Sequence, residues 1–463
     1  MASNPALALS AKARRTGEQP ISSLMVAALG DRNLINFAAG LVDPLTLPVE
    51  AVSQISQTIF ASDARARAAL QYDTTQGLAA LRNAALKHLE SLEQKDAADF
   101  GVSQRDILIS TGSQQALYLV GDVLLDPGDI VIAANPCYFV YAGTLASLGA
   151  TVMPVPMTAE GIDVSAIEKL LGRLERENRL GRVKLIYTTS YFQNPTGLTL
   201  SAAARPRLLD LARRFSRSHR IMILEDAAYR ELRYDGPDLP SIKSLERENR
   251  HTILTHTFSK PFAPGLKTGY TVMPADLLQA VLHQKGNHDF GSASLTQHIA
   301  AEALASGLYD QHVRMLCQSY RRKRDAMLAA LDRFIPASTG ATWTRPCGGL
   351  YIWLTLASSA DASRSSRLFQ ACLERGVLYV PGDYCFQPVE GPGGFVPKNH
   401  LRLSFGQVAP EQIEPGIERL AQAIAALSPS PGTPGEGWGG GQKPTGPSSP
   451  HPDPPPEYRG RGR

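Results

Sequence analysis

Lys260 is the residue from which chemistry can first be read in this chain. It stands in the stretch His256-Thr-Phe-Ser-Lys-Pro-Phe-Ala-Pro-Gly-Leu-Lys-Thr-Gly-Tyr270, just past the run Thr252, Ile253, Leu254 and Thr255. That β-branched and apolar run predicts a buried strand. A lysine at the end of one is unusual, because burying an ammonium without a partner is costly. An amine relieved of its charge there is a nucleophile able to form a Schiff base. Thr257 and Ser259 add hydroxyls before it, and a Pro264-Gly265 turn follows. Taken alone, the window equally fits a surface lysine beside a loop.

Other residues bear on the choice. Asp226 follows the continuous apolar run Ile221 to Leu224, and Tyr229 lies three residues further on. Asn194 opens Asn-Pro-Thr-Gly, Tyr138 closes Asn-Pro-Cys-Tyr, and Arg402 sits in Leu-Arg-Leu-Ser-Phe. Singly, each has a plain structural reading. Asp226 fits a helix N-cap, the tyrosines fit a core, Asn194 a turn, and Arg402 the outward face of an alternating strand.

The elements that must position these residues alternate from Asp106 onward. Strands are predicted over Ile107–Ser110, Asp129–Ala134, Thr151–Val155, Lys184–Thr189 and Ile221–Leu224, with helices over Ala116–Leu125 and Leu208–His219. Continuous apolar strands separated by helices argue for an α/β fold with a mainly parallel sheet covered on both faces. Ligands of such sheets sit at the carboxyl ends of the strands. Ser113 and Gln114, Asn194, Asp226 and Lys260 all fall on that edge. Past residue 300 the rhythm changes to a long charged helix, Val313–Phe334, then strands within Thr342–Leu356 and Leu401–Phe405, with helices at Ser366–Arg375 and Pro410–Leu427. The predicted organisation is an arm and loop over 1–48, a large domain over 49–305 and a small domain over 306–428. A Pro- and Gly-rich tail over 429–463 is expected to be disordered.

Composition narrows the function. A net charge of +4 over 463 residues, without a dense basic stripe, gives no nucleic-acid footprint. The five cysteines are scattered and form no Cys-x-x-Cys pair, so neither a disulfide framework nor a zinc site is predicted. No apolar run approaches the roughly 18 residues of a membrane span, and the N-terminus lacks a signal-peptide core. A cytoplasmic location is expected.

As a set, these motifs resemble the pyridoxal-phosphate enzymes of the aspartate aminotransferase superfamily (fold type I). The likeness is to class I/II aminotransferases, near the aminoadipate and kynurenine group, and runs from about Asn36 to Ser428. It implies a large domain with a mainly parallel seven-stranded sheet and a smaller α+β domain. Lys260 matches the lysine that forms the internal aldimine with pyridoxal 5'-phosphate and moves the proton at Cα. Asp226 matches the partner of the pyridine nitrogen, and keeping that nitrogen protonated makes the ring an electron sink. Tyr229 and Asn194 match the groups bonded to the phenolic oxygen, and Tyr138 the aromatic stacked on the ring. Ser113 and Gln114 open a helix whose free N–H groups favour an anion; with Thr257 and Ser259 they match the phosphate site. The family usually has an arginine seven residues after the lysine, where this chain has Lys267, which keeps the charge but loses the bidentate fork. Tyr72 matches the tyrosine reaching the phosphate of the other subunit, implying a homodimer with shared sites. Arg402 matches the clamp on the substrate carboxylate, and Gly40 a loop glycine touching substrate.

The resemblance implies transfer of the amino group of an L-α-amino acid to a 2-oxo acid by a ping-pong mechanism. A cyclase, β/γ-eliminase or oxidase on the same scaffold shares Lys260, Asp226 and Arg402 and remains an alternative. An aminotransferase-like regulator is a remote alternative, since it would need an N-terminal DNA-binding module and fewer than about 40 residues precede Gly40. For the substrate side chain, Arg14, Arg15 and Arg32 are candidate second cations by position, whereas Phe139, Tyr141 and Tyr351 would supply apolar walls. The sequence leaves both open.

Overall fold

The computed structural model describes residues 7–22, 24, 34–389 and 393–427; the tail predicted to be disordered and Arg32 lie outside them. Fourteen strands are formed among the described residues. In chain order they are β1 (Ile35–Asn36), β2 (Ile107–Ser110), β3 (Ile130–Asn135), β4 (Thr151–Thr158), β5 (Gly161–Ile162), β6 (Val183–Thr189), β7 (Met222–Asp226), β8 (Thr252–Thr257), β9 (Gly269–Val272), β10 (Thr342–Trp343), β11 (Tyr351–Thr355), β12 (Val377–Leu378), β13 (Val380–Pro381) and β14 (His400–Ser404).

The large sheet has the order β2-β9-β8-β7-β6-β3-β4-β5. Strands β8, β7, β6, β3 and β4 run parallel, as the alternation of largely apolar strands with helices predicts. Two features depart from the expected seven-stranded sheet. β5 is an eighth, two-residue strand that folds back antiparallel on β4. Gly161, at φ +97°, makes this turn, and a Cβ there would meet the Leu200 backbone. Secondly, β9 is inserted antiparallel between β8 and β2. Two successive reversals leave β2 pointing the same way as β8. The carboxyl ends of β2, β6, β7 and β8 therefore share one edge, as predicted.

Side chains alternate across the sheet. Leu108, Val131, Leu185, Tyr187, Leu224 and Ile253 face the helices Gly112–Leu124, Phe139–Leu148 and Ala275–Asp289. On the other face, Ile132, Ile186 and Ile223 meet the helices Val164–Arg176 and Ala204–Phe215. The latter starts four residues earlier than the pattern predicts, because Pro206 is harmless in a first turn, where the missing N–H has no partner to lose. It stops at Phe215, where the Ser216 hydroxyl donates back to the Ala212 carbonyl.

The small sheet is antiparallel, in the order β10-β11-β14-β13, and β14 sets Arg402 opposite Trp353 and Val380. The N-terminal segment joins this region through parallel pairing of β1 with β12. The long helix Leu308–Phe334 packs its buried Leu316, Tyr320, Met327 and Leu331 into the core shared by both sheets. All five cysteines are free. Among the described residues, no helix is long and apolar enough to cross a membrane.

Candidate active site

A cavity of about 260 Å³ opens at the shared carboxyl edge. Each predicted contributor from the large sheet reaches it from the end of its own strand. Ser113 and Gln114 follow β2, Asn194 follows β6, Asp226 ends β7, and Thr257, Ser259 and Lys260 come from the end of β8 and the turn after it. Tyr138, Tyr229 and Lys267 complete the set.

Lys260 Nζ donates to the carbonyl of Gly40, 2.8 Å away. Its amine is thus held against the N-terminal loop, which brings residues 36–43 to the site. The Gly40 position requires a glycine for a reason the sequence did not show: a Cβ there would lie 2.6 Å from the Tyr351 hydroxyl. That hydroxyl is 3.1 Å from the hydroxyl of Tyr229.

Asp226 is buried, and burial pushes its carboxyl up to about 6. One oxygen accepts from the amide of Ala228 (3.1 Å) and the other from the Tyr187 hydroxyl (3.0 Å). No cationic side chain among the described residues forms an ion pair with it. A buried carboxylate served only by neutral donors and facing a cavity suits a cationic ring nitrogen.

Opposite, the guanidinium of Arg402 is 2% exposed. It donates to Asn194 Oδ1 (2.9 Å) and to the Ala38 carbonyl (2.7 Å), while its Nε has no hydrogen-bond partner. The rings of Tyr351 (4.5 Å) and Phe139 (5.6 Å) lie against it. At the other end, the helix Gly112–Leu124 begins without a side-chain cap, leaving its first-turn amides open to an anion. The Thr257 and Ser259 hydroxyls are hydrogen-bonded to each other beside it (3.0 Å), and Gln114 Oε1 is buried and unpartnered.

Comparison with known proteins matches residues 32–420 to the family "Aminotransferase class I and II". The chain belongs to the class I and II aminotransferases. It is 35% identical over 392 residues, 85% of its length and 88% of the relative's, to aromatic-amino-acid aminotransferase 1 of Thermococcus litoralis. It is 34% identical to the 2-aminoadipate transaminase of Thermus thermophilus, across 85% of this chain and 91% of that one. The crystal structure of Pyrococcus horikoshii kynurenine aminotransferase in complex with PMP superposes with a TM-score of 0.81 at 33% identity, covering 90% and 97% of the two chains. The protein is therefore a pyridoxal-phosphate-dependent aminotransferase with the aspartate aminotransferase-like fold.

Within this aminotransferase some expected residues stand apart from the cavity. Tyr72 is 82% exposed and packs edge-on against Phe290, at 5.7 Å, rather than facing its own chain's site. Arg14 and Arg15 lie on the short helix Ala11–Arg15, which packs beside the helix Phe139–Leu148, and neither lines the cavity. Tyr141 supplies no wall to it: its ring is buried under the sheet, 4.5 Å from that of Tyr187. Helical periodicity explains this, since Tyr141 sits two positions past Phe139 and points to another side of the helix. Conversely, Tyr187 and Thr189 were missed. The signal was faint but present: in β6 both lie on the face of Asp226, whose register partner is Thr189.

Proposed function

We propose that Lys260, Asp226 and Tyr229 carry out the transamination, with Arg402 and Asn194 receiving the substrate carboxylate. The observation that supports this most is one cavity lined by the Lys260 amine and by the buried Asp226 carboxylate, which has no cationic partner, with the Arg402 guanidinium joined to it through Asn194. When bound, pyridoxal phosphate supplies an aldehyde carbon for the amino group and a ring that accepts the electron pair left at Cα.

This chain's residues do the rest. Lys260 Nζ would leave the Gly40 carbonyl, take the proton from the substrate Cα and carry it two atoms on, past the amino nitrogen, to the carbon the cofactor supplies. Asp226 would hold the ring nitrogen in its protonated form. Tyr138 would pack on the ring, and Tyr229 and Asn194 would donate to its phenolic oxygen. The open amides of Ser113 and Gln114, the hydroxyls of Thr257 and Ser259, and Lys267 would hold the phosphate. Arg402 offers two donors in one plane to a carboxylate, for which Asn194 keeps it oriented. Gly40 shapes the substrate side of the cavity by admitting the Tyr351 hydroxyl.

Among the described residues, Lys260 and Lys267 are the cations that line the cavity. With Leu41 as an apolar lining residue, and with relatives named for aromatic amino acids and kynurenine, an aromatic L-α-amino acid is the proposed donor. Incubation with a panel of amino acids and 2-oxoglutarate, followed by glutamate assay, tests this. Phenylalanine or tyrosine should give the highest kcat/KM. Ammonia or a cyclised product in place of glutamate would sink the proposal. The active unit is proposed to be a homodimer, because exposed Tyr72 and Phe290 form an aromatic surface that a second copy can cover.

Lys267 gives a separate expected outcome. A lysine meets an anion through one point charge, and its backbone is held at φ +49°. Lys267→Arg should tighten cofactor binding by about 1 kcal/mol, roughly fivefold in dissociation constant. Equilibrium dialysis of the cofactor checks it. Equal or weaker retention in the variant means that residue 267 does not contact the phosphate.

A further inference from the structure

Behind the active-site edge, His88, Glu231 and His256 meet in a cluster that transamination does not use. His88 comes from the helix Ala79–Glu93, Glu231 from the turn after β7, and His256 from β8. Their side chains are 7%, 5% and 3% exposed, and none of them lines the cofactor cavity. Among the described residues, theirs is the one group of three such side chains whose ligand atoms all lie within 4.8 Å of one another.

The contacts are those of a donor set around a common point. His256 Nε2 is 2.9 Å from one Glu231 oxygen, and His88 Nε2 is 3.1 Å from the other. The second pair is out of line for a hydrogen bond, so His88 Nε2 is buried with only an ion-pair contact to the carboxylate. A buried imidazole nitrogen that lacks a well-aligned hydrogen bond is unfavourable. A small cation between the nitrogen and the carboxylate would satisfy it. Bonds of about 2.0–2.2 Å to one ion in tetrahedral arrangement set ligand atoms roughly 3.3–3.6 Å apart, so the 2.9 and 3.1 Å separations here would open by a few tenths of an ångström on binding. The Tyr309 hydroxyl, hydrogen-bonded to Glu231, is the nearest further oxygen. Access exists: His88 also lines a surface hollow of about 440 Å³ together with Asn83, Lys87, Ser91 and Asp310.

We propose that His88, Glu231 and His256 form a binding site for a divalent transition-metal ion, entered through the hollow over His88. Two imidazoles and one carboxylate select zinc over magnesium or calcium, which prefer all-oxygen sites. The ion staples the helix, the turn that carries Tyr229 and the strand that carries Thr257.

Equilibrium dialysis of the chelator-treated holoenzyme against Zn2+ alone tests this. The wild type should retain about one ion per chain, and its melting temperature should rise on zinc addition. His88→Leu should bind at least roughly tenfold more weakly and lose the thermal shift, while keeping aminotransferase turnover. Should that variant lose turnover through misfolding, Co2+ loaded into the wild type gives an independent reading. Tetrahedral visible bands without thiolate-to-cobalt absorption support the site, and their absence overturns it. Zinc retention equal in wild type and in active His88→Leu, or no stoichiometric retention at all, also overturns it.

Discussion

Lys260→Ala is expected to cut turnover by at least about 10⁴-fold, because in the proposed mechanism one amine serves as both nucleophile and proton carrier. No other described side chain can replace it. The second lysine of the cavity, Lys267, has its backbone in the left-handed region and is proposed to serve the phosphate. The variant should still bind the cofactor through Asp226, the open helix amides and the hydroxyls. Its colour should change, since the visible band of the wild type depends on a covalent link to Nζ. Borohydride treatment followed by peptide mapping gives a readout independent of turnover. The wild type should carry the reduced cofactor on Lys260, and the variant nowhere. Labelling of another lysine in the wild type would overturn the assignment.

Asp226→Asn should pull activity and stability in opposite directions. Without cofactor, the wild type holds a buried carboxylate whose pKa is raised from 3.8 to about 6 by burial. A raised folded-state pKa means that the protonated form is the favoured one. The associated stability is complete below about pH 4 and is lost as pH rises through about 6. At pH 7 the ionised group is then on the order of 3 kcal/mol less favourable than in the unfolded chain. Asparagine removes that cost and keeps both contacts: its oxygen can still accept from Ala228, and the Tyr187 hydroxyl can turn from donor to acceptor. The cofactor-free variant should therefore melt higher than cofactor-free wild type at pH 7 but not at pH 4. With cofactor, turnover should fall by roughly 10²-fold or more, since a neutral amide does not keep a ring nitrogen protonated. Thermal melts at the two pH values check the first half. Wild-type rates in the variant would contradict the electron-sink role.

The parallel part of the fold was legible because β3, β6, β7 and β8 are buried on both faces and so are written as unbroken apolar runs. The edge that gathers Ser113, Asn194, Asp226 and Lys260 follows from that alone. β9 was not legible: Gly269–Val272 has nothing in its own residues to say that it turns back between β8 and β2. Pairing partners far apart in sequence leave no local trace. β4 was read short, since Pro154 and Pro156 interrupt its apolar run; it tolerates them because its far side is paired only at its last two residues. Similarly, Gly40 was recognised as necessary, but Tyr351, more than 300 positions away, is the reason. Tyr187 was passed over because a tyrosine inside an aliphatic strand reads as core until the neighbouring strand shows which face Asp226 occupies.

Arg402 is fixed from both sides, by Asn194 of the large sheet's loop and by the Ala38 carbonyl. An arginine so anchored has already given up its rotamer freedom during folding. An incoming carboxylate is spared that entropic penalty, on the order of 1 kcal/mol for a side chain of this length. The same anchoring makes the guanidinium a gauge of how the two sheets are spaced: a shift of β14 away from Asn194 would loosen substrate capture without touching the lysine.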